Sequence, residues 1–386
     1  NFWASGLVAT GDSTLDLTNI SAVSATTAWV GAVSPVPGVG GGGVWKTSDG
    51  GVVWTRQNPS GYTTPVDSFF NVVHFWNENV GITQGDPING EFEVYRTTDG
   101  GTTWAAVPAA ALPDPGASEY GYNGGNVAAG NSFWFVTNQG KLYRTTDTGI
   151  SWTKLNTPIS DFSATNVGGS LFFSDDNNGI LVARTGPAPT QTADSATYTL
   201  YKTSNGGTTW SAGTPLTAPY KSTLSYIPGT SILVGTGRTI SGTTSTYSTG
   251  YSTDNGSTWT QIESGVQRTS IAFFNGTTGW SGGFTTEPDF LGGIYKYNGP
   301  SLGVSNFDNK AKVSVYPNPA NDVVNIKGAS ISKVVAFDIL GKQVVSQDFS
   351  AQDEVSVNVS SLRTGMYVLQ VTNDLGATET IKFAKK

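Results

Sequence analysis

Through residues 21–299 short apolar runs alternate with polar turns, and the same wording returns at a long interval. VWKTSDGGVVW (44–54) recurs as VYRTTDGGTTW (94–104), LYRTTDTGISW (142–152), LYKTSNGGTTW (200–210) and, more loosely, GYSTDNGSTW (250–259). The tryptophans that close these phrases, Trp54, Trp104, Trp152, Trp210 and Trp259, are spaced by 50, 48, 58 and 49 residues. A second phrase lies between them: an apolar run, a polar turn, a glycine and another apolar run. It reads VVHFWNENVGITQG (72–85), LFFSDDNNGILVA (171–183) and IAFFNGTTGWSGG (271–283), with weaker copies at 21–33, 127–137 and 224–235. Short alternating runs bounded by Gly, Asn, Asp and Ser predict strands joined by tight turns. Each unit therefore reads as four strands, A to D, with A–B and C–D hairpins.

Units of about 50 residues with four strands match the blade of a β-propeller. Six A–B hairpins and six C strands can be placed, the last C strand being GGIYKYNG (292–299), but only five D strands follow. The expected fold is all-β: a six-bladed β-propeller over 1–300, with seven blades as the alternative. The N-terminal stretch NFWASGLVA (1–9) is expected to supply the missing strand and close the ring. Residues 301–311 lie in GPSLGVSNFDNKAK (299–312), which has no periodicity and reads as a linker. From 312 to 386 the alternation resumes at period two, predicting about seven short strands in a small β-sandwich.

Composition narrows the function. The chain has 386 residues and a formal charge of −7, with 49 Gly and no Cys. Residues 305–386 carry 9 basic and 8 acidic groups (+1), which leaves 12 against 20 (−8) in the propeller. An acidic body without a basic cluster is a poor partner for nucleic acid. No apolar run is long enough to span a membrane. Without Cys there is no disulfide, thiolate metal site or Cys nucleophile. The chain begins at Asn1, and a signal peptide is expected to have been removed before it.

The eleven-residue phrase resembles the Asp-box, S/T-x-D-x-G-x-x-W, of sialidases, sortilin-type receptors and related propellers. Asp49, Asp99, Asp147 and Asp254 fill its acidic position, each followed by the box tryptophan, whereas the fourth copy has Asn205 before Trp210. An Asp or Asn side chain accepts hydrogen bonds from turn N–H groups, and only the Asp could act as a catalytic carboxylate. The Asn205 copy therefore assigns the box to shape. In propellers with this box the turn lies on the rim, away from the ligand face. The full wording looks most like the photosystem II stability/assembly factor group, a binding and assembly family; this resemblance covers about residues 1–300.

The short A–B and C–D turns fall at one end of the blades. The long connections, expected at 56–70, 108–126, 184–198, 236–247 and 284–292, fall at the other, and insertions gathered on one face mark a binding face. That face offers Tyr62, Asp67, Asp86, Glu91, Glu93, Asp114, Glu119, Tyr120, Tyr122, Asp194, Glu287 and Asp289. Tyrosines and carboxylates suit sugars, cations or a basic protein surface; a solvated acidic rim is the plain alternative. A glycosidase would need two facing carboxylates, and no pair can be singled out. A sialidase would need an arginine triad, but Arg96 and Arg144 occupy the repeat position held elsewhere by Lys46 and Lys202. The xyloglucanases that share the box use two fused propellers, far longer than this chain. His74, the only histidine, lies on a strand A and reads as structural. Asn- and Asp-rich turns such as DDNN (175–178) lack the ligand spacing of a Ca²⁺ loop. No cofactor, metal site or catalytic residue is assigned.

The C-terminal segment resembles the sorting domain of type IX secretion cargo in Bacteroidetes. Tyr316-Pro317-Asn318-Pro319 matches its opening motif, and Asp338 through Gly341-Lys342 its central hairpin. Leu362, Gly365, Met366 and Tyr367 match L-x-x-G-x-Y, and Lys382 to Lys386 the basic end. The resemblance implies export across the outer membrane through the type IX translocon and shuttle, then release or attachment to surface lipopolysaccharide. Asp12-Ser13-Thr14 and Asp194-Ser195-Ala196 resemble the short O-glycosylation signal of these bacteria. Three functions follow: a displayed propeller that binds a glycan or protein without catalysis, a glycan-active hydrolase using loop carboxylates, or a structural subunit of a gliding or adhesion assembly.

Overall fold

The computed structural model describes residues 8, 15–34, 42–57, 69–190, 193–241, 244–283, 293–298, 313–339, 341–373 and 378–386. Contacts divide the chain into two compact units, Asn1–Leu302 and Gly303–Lys386. In the first unit each recurring phrase folds as an antiparallel sheet whose strands pair in chain order. The first sheet holds β1 (Asp16–Ala22), β2 (Ala28–Val33), β3 (Gly43–Thr47) and β4 (Thr55–Gln57). The second holds β5 (Phe70–Phe75), β6 (Gly81–Ile88), β7 (Glu91–Thr97) and β8 (Ala105–Ala106). The third holds β9 (Gly121–Ala129), β10 (Ser132–Thr137), β11 (Lys141–Thr145) and β12 (Thr153–Asn156). The fourth holds β13 (Val167–Phe173), β14 (Gly179–Thr185), β15 (Thr197–Thr203) and β16 (Thr214–Pro215). The fifth holds β17 (Thr223–Tyr226), β18 (Leu233–Ser241), β19 (Thr244–Ser252) and β20 (Thr260–Ser264). The sixth shows β21 (Ser270–Asn275), β22 (Thr278–Gly282) and β23 (Ile294–Lys296) among the described residues. Its fourth strand was expected from 1–9, which, apart from Val8, lies outside them.

The first strands of successive sheets pack on one another, β1 on β5, β5 on β9, β9 on β13, β13 on β17 and β17 on β21, while β1 also reaches β9. These strands line a common axis, and the architecture is a six-bladed propeller. The apolar core is divided among the joints between blades. Trp29 and Val44 of the first blade pack with Phe70, Val73 and Phe75 of the second; Trp134 and Leu142 of the third pack with Phe173 and Leu181 of the fourth. Trp29 stacks on Phe75 at 3.5 Å and Trp134 on Phe173 at 3.9 Å. Each such pair adds about 1 kcal/mol beyond the burial of its area. The glycine of the second phrase is fixed by the same packing. A Cβ at Gly81 would lie 2.5 Å from the Phe75 ring, and one at Gly179 would lie 2.5 Å from the Phe173 ring.

The Thr/Ser-x-Asp-x-Gly-x-x-Trp turns are hydrogen-bonded shells. In the third blade the Thr145 hydroxyl donates to Asp147 Oδ1 (2.8 Å), as do the N–H groups of Ile150 (3.1 Å) and Ser151 (2.9 Å), and the Ser151 hydroxyl donates to Oδ2 (2.6 Å). In the second blade the Thr103 hydroxyl, then its N–H and the Thr97 hydroxyl, pull the Asp99 carboxyl down to about 2. Asn205 keeps the pattern with one bond reversed. Its Oδ1 accepts from Thr203 Oγ1 (3.0 Å) and Thr209 N–H (2.9 Å), while its Nδ2 donates to the Thr209 hydroxyl (2.8 Å). The turn needs an acceptor there, not a negative charge. Each turn also leans on its own A–B turn, as Gly100 N–H to Asn79 O (2.8 Å) and Gly206 N–H to Asn177 O (2.8 Å) show.

Successive blades are tied by the basic residue that precedes the box. Lys46 Nζ donates to Gly100 O (3.1 Å), Arg96 Nε to Thr148 O (2.8 Å), Arg144 NH1 to Asn205 O (3.2 Å) and Lys202 Nζ to Asp254 O (2.7 Å). Each cation of one blade caps a carbonyl in the turn of the next.

The second unit is a five-stranded β-sandwich of β24 (Ser314–Tyr316), β25 (Val323–Phe337), β26 (Gln343–Asn358), β27 (Gly365–Asn373) and β28 (Thr378–Lys385), in the order β24-β25-β27-β28 with β26 also on β25. The seven expected segments are these five strands with the two long ones counted twice. The β25–β26 register breaks between Lys327 and Ile331, near Ser330 and Ala351, which take positive φ of 48° and 50°. The first half of β25 faces β24 and its second half faces β27. Val324, Ile326, Val334, Leu369 and Phe383 fill the space between.

Two outcomes follow. Replacing Asp147 by Ala is expected to cost about 1–2 kcal/mol, the loss of a capping acceptor, whereas Asp147→Asn, which reproduces the Asn205 shell, keeps most of that stability. The melting temperatures of the two variants check this. Burial pushes the His74 imidazole down to about 4, with its ring packed between Trp76 (4.7 Å) and Phe133 (5.3 Å). The unfolded chain takes a proton at about 6.5 that the folded chain refuses, so His74 lowers stability as pH falls from 6.5 towards 4. His74→Phe is expected to flatten the fall of melting temperature with pH in that window.

Candidate functional site

The B–C and D–A connections share the end of the blades opposite the box turns. Three of the expected long connections stand out there. Residues 107–120 lead into β9, with a single 3-10 turn at Ala109–Ala111; 186–196 separate β14 from β15; and the described residues of 236–247 are strand, not loop. There β18 and β19 continue as a paired ladder from Leu233↔Ser252 to Ser241↔Thr244, because a run of Thr and Ser is good strand material even when it is polar. Between Asp86 and Glu91 the chain also stays in strands. Asn89 and Gly90 take φ of 54° and 89°, the two-residue hairpin geometry that lets β6 and β7 pair up to the turn.

Tyr62, Asp67, Glu287 and Asp289 lie outside the described residues. Asp86 stands at the joint of the second and third blades and accepts from Asn71 Nδ2 (2.7 Å) and the N–H of Gly121 (2.9 Å). Burial raises its carboxyl above the ordinary range against those two bonds. Gly121 allows this approach, since a Cβ there would lie 2.9 Å from Asn71 Nδ2 and from Gln84 Nε2. Glu91 keeps one buried carboxylate oxygen without a partner among the described residues, and Glu93 accepts from Tyr95 OH (3.3 Å). Asp114 is exposed; its backbone carbonyl accepts from Lys154 Nζ (3.0 Å).

Glu119 does not face solvent. It is 3% exposed and accepts from Thr137 Oγ1 (2.8 Å), Gly116 N–H (2.6 Å) and Lys154 Nζ (2.7 Å). Burial alone would raise its carboxyl; the Gly116 N–H, Lys154 and Thr137 outweigh that and hold it low. It clamps the 112–120 connection and is closed to a ligand. Tyr120 is 43% exposed and meets Tyr122 edge-on at 5.5 Å. The Tyr122 hydroxyl donates to Asp161 Oδ1 (2.7 Å). No group of three or more His, Asp or Glu among the described residues converges as for a metal ion.

One recess on this end was not foreseen. A cavity of about 310 Å³ between the fourth and fifth blades is lined by Arg184, Asp194, Tyr198, Lys221 and Arg238. Strand register explains the arginines. Gly81 pairs with Thr97, Gly179 with Thr203 and Leu233 with Ser252. Five residues further along strand B stand Asp86, Arg184 and Arg238. The same position is acidic in the second blade and basic in the fourth and fifth, a contrast that aligning the B strands in sequence would have exposed.

In the second unit the motifs close the sheet. The N–H of Ala320 donates to Ala384 O (2.8 Å) and that of Lys386 to Ala320 O (2.9 Å). Asn318 Oδ1 accepts from the N–H of Ala384 (2.9 Å) and its Nδ2 donates to Lys382 O (3.4 Å). Tyr316 donates its hydroxyl to Glu354, while Pro317 and Pro319 each follow a cis peptide bond. Asp338 Oδ1 accepts the N–H of Lys342 (3.0 Å) across a turn in which Gly341 has φ 82°. Gly365 opens β27, and two residues on Tyr367 donates to Arg363 O (2.9 Å).

Residues 314–386 match the family model of the secretion system C-terminal sorting domain. A β-agarase D from Zobellia galactanivorans is 35% identical over 71 residues, 18% of this chain and 14% of that enzyme, so the chain spans about a seventh of the length of this curated relative. Among solved structures, YCF48 bound to a D1 peptide is 19% identical with a TM-score of 0.38, over 75% of this chain and 94% of that one. A GH74 xyloglucanase from Xanthomonas campestris is 12% identical with a TM-score of 0.47, over 82% of this chain and 51% of that one. Among the described residues no helix is long and apolar enough to cross a membrane. The chain is thus a six-bladed β-propeller carrying a type IX secretion C-terminal sorting domain at 314–386, which marks it for export to the outer-membrane surface or beyond.

Proposed function

We propose that the propeller is a displayed, non-catalytic binding module of the Asp-box kind, which engages a glycan or protein through its long-connection end. The sorting domain would bring it there through the type IX translocon and shuttle. The observation that carries this reading is the commitment of three carboxylates on that end, Glu119, Asp161 and Asp194. Glu119 is buried in a clamp with Lys154, Asp161 holds Tyr122 and the N–H of Ser163 (2.8 Å), and Asp194 holds Tyr198 OH (3.2 Å). Hydrolysis of a glycosidic bond needs one carboxyl kept as an acid and a second carboxylate free across the bond. Asp86 has the raised affinity for its proton that an acid needs, and this favours a second reading, a glycan hydrolase.

Incubating the full chain with neutral and acidic polysaccharides separates the two. The expected result is retention on at least one glycan with no reducing ends above the buffer blank. Reducing ends that disappear in Asp86→Asn would establish the hydrolase instead.

A further inference from the structure

We propose that the recess between the fourth and fifth blades binds a single anionic substituent on a glycan, a uronate carboxylate or a sulfate ester. This deepens the binding reading above and rests on it. Three cations line the recess, Arg184, Lys221 and Arg238, against one carboxylate, Asp194. The local balance is three less one, +2, inside a propeller of net charge −8. A surplus of fixed positive charge in a concave, half-buried site attracts an oxyanion from outside.

The cations are held in place before any ligand arrives. Arg184 donates to the carbonyls of Thr165 (3.2 Å), Ala164 (3.0 Å) and Gly186. Arg238 donates through one NH2 to the Thr190 carbonyl, and its other donors have no protein partner among the described residues. Lys221 Nζ lies 4.1 Å from the centroid of the Tyr198 ring and 3.4 Å from Asp194 Oδ2. Arg184, Lys221 and Arg238 thus line one recess together with Tyr198. A guanidinium already fixed by backbone carbonyls loses little further freedom on binding.

The surroundings select a sugar carrier. Ser163, Ser170 and Ser222 line the same recess and are exposed, offering hydroxyls to a polyol. Elsewhere on this end stand the carboxylates Asp86, Asp114 and Asp161, on the second and third blades and their connections. A densely charged polymer would be repelled there, whereas an oligosaccharide with one acidic group meets only the recess.

The test is calorimetric titration of the full chain with four probes: a xylo-oligosaccharide bearing one glucuronosyl group, a monosulfated galacto-oligosaccharide, and the uncharged counterpart of each. At about 20 mM salt one acidic probe is expected to bind at least about tenfold more tightly than its neutral counterpart, and to weaken as salt rises. Which of the two binds names the source of the charge. Arg238→Ala is expected to weaken binding about tenfold with an unchanged melting temperature. Asp194→Asn, which removes the competing carboxylate, should bind at least as tightly as the native chain. Equal affinity for neutral and acidic probes, or unchanged affinity in both Arg238→Ala and Lys221→Ala, overturns the inference and leaves the binding module standing. Release of reducing ends from the probes would overturn the binding reading itself.

Discussion

The propeller depends on a cation of one blade closing a carbonyl in the box turn of the next. A turn with several backbone groups pointing outward leaves carbonyls that strand pairing cannot use. Lys46, Arg96, Arg144 and Lys202 supply donors to such carbonyls across four successive joints. The tie also fixes the rotation of neighbouring blades, which lets the stacked pairs Trp29–Phe75 and Trp134–Phe173 come within van der Waals distance. Because the structural load sits at the box-turn end and in the joints, the opposite end can change length and charge from blade to blade without weakening the ring.

That division explains what could be read in the sequence. The period, the four-strand unit and the role of the box were legible because each repeat states the same physical requirements, and Asn205 showed which requirement was essential. The sandwich was legible as alternation, but the bends that join its seven segments into five strands leave no mark in the period. The long-connection end was harder. Glu119 lies in a segment rich in Gly, Pro and Ser, and nothing local distinguishes a buried clamp from a solvated acid; its partners Thr137 and Lys154 come from other strands. The stretch 236–247 lacks apolar alternation, so its pairing as a hairpin was hidden. Arg184 and Arg238 were visible only by comparing one position across blades, since neither belongs to a local motif.

His74 and Asp86 show two ways in which burial handles a titratable group. His74 has aromatic neighbours and a buried Nε2 without a partner among the described residues, so it stays neutral and serves as packing. Asp86 keeps polar contacts across the joint of two blades, so its chemistry stays close to the surface on which a ligand would lie. The former belongs to the wall of the ring, the latter to the end that varies.

In the sorting domain the opening motif is held by the segment that follows β27. Asn318 and Ala320 find their backbone partners on Lys382, Ala384 and Lys386. The two sides of that clasp stand 64 and 66 residues apart in the chain, most of the length of the domain. A chain interrupted anywhere in between presents Tyr-Pro-Asn-Pro without its mate. The opening motif therefore gains its backbone partners only once the last strand of the domain, β28, is in place, so its conformation reports on the folding of the whole sandwich.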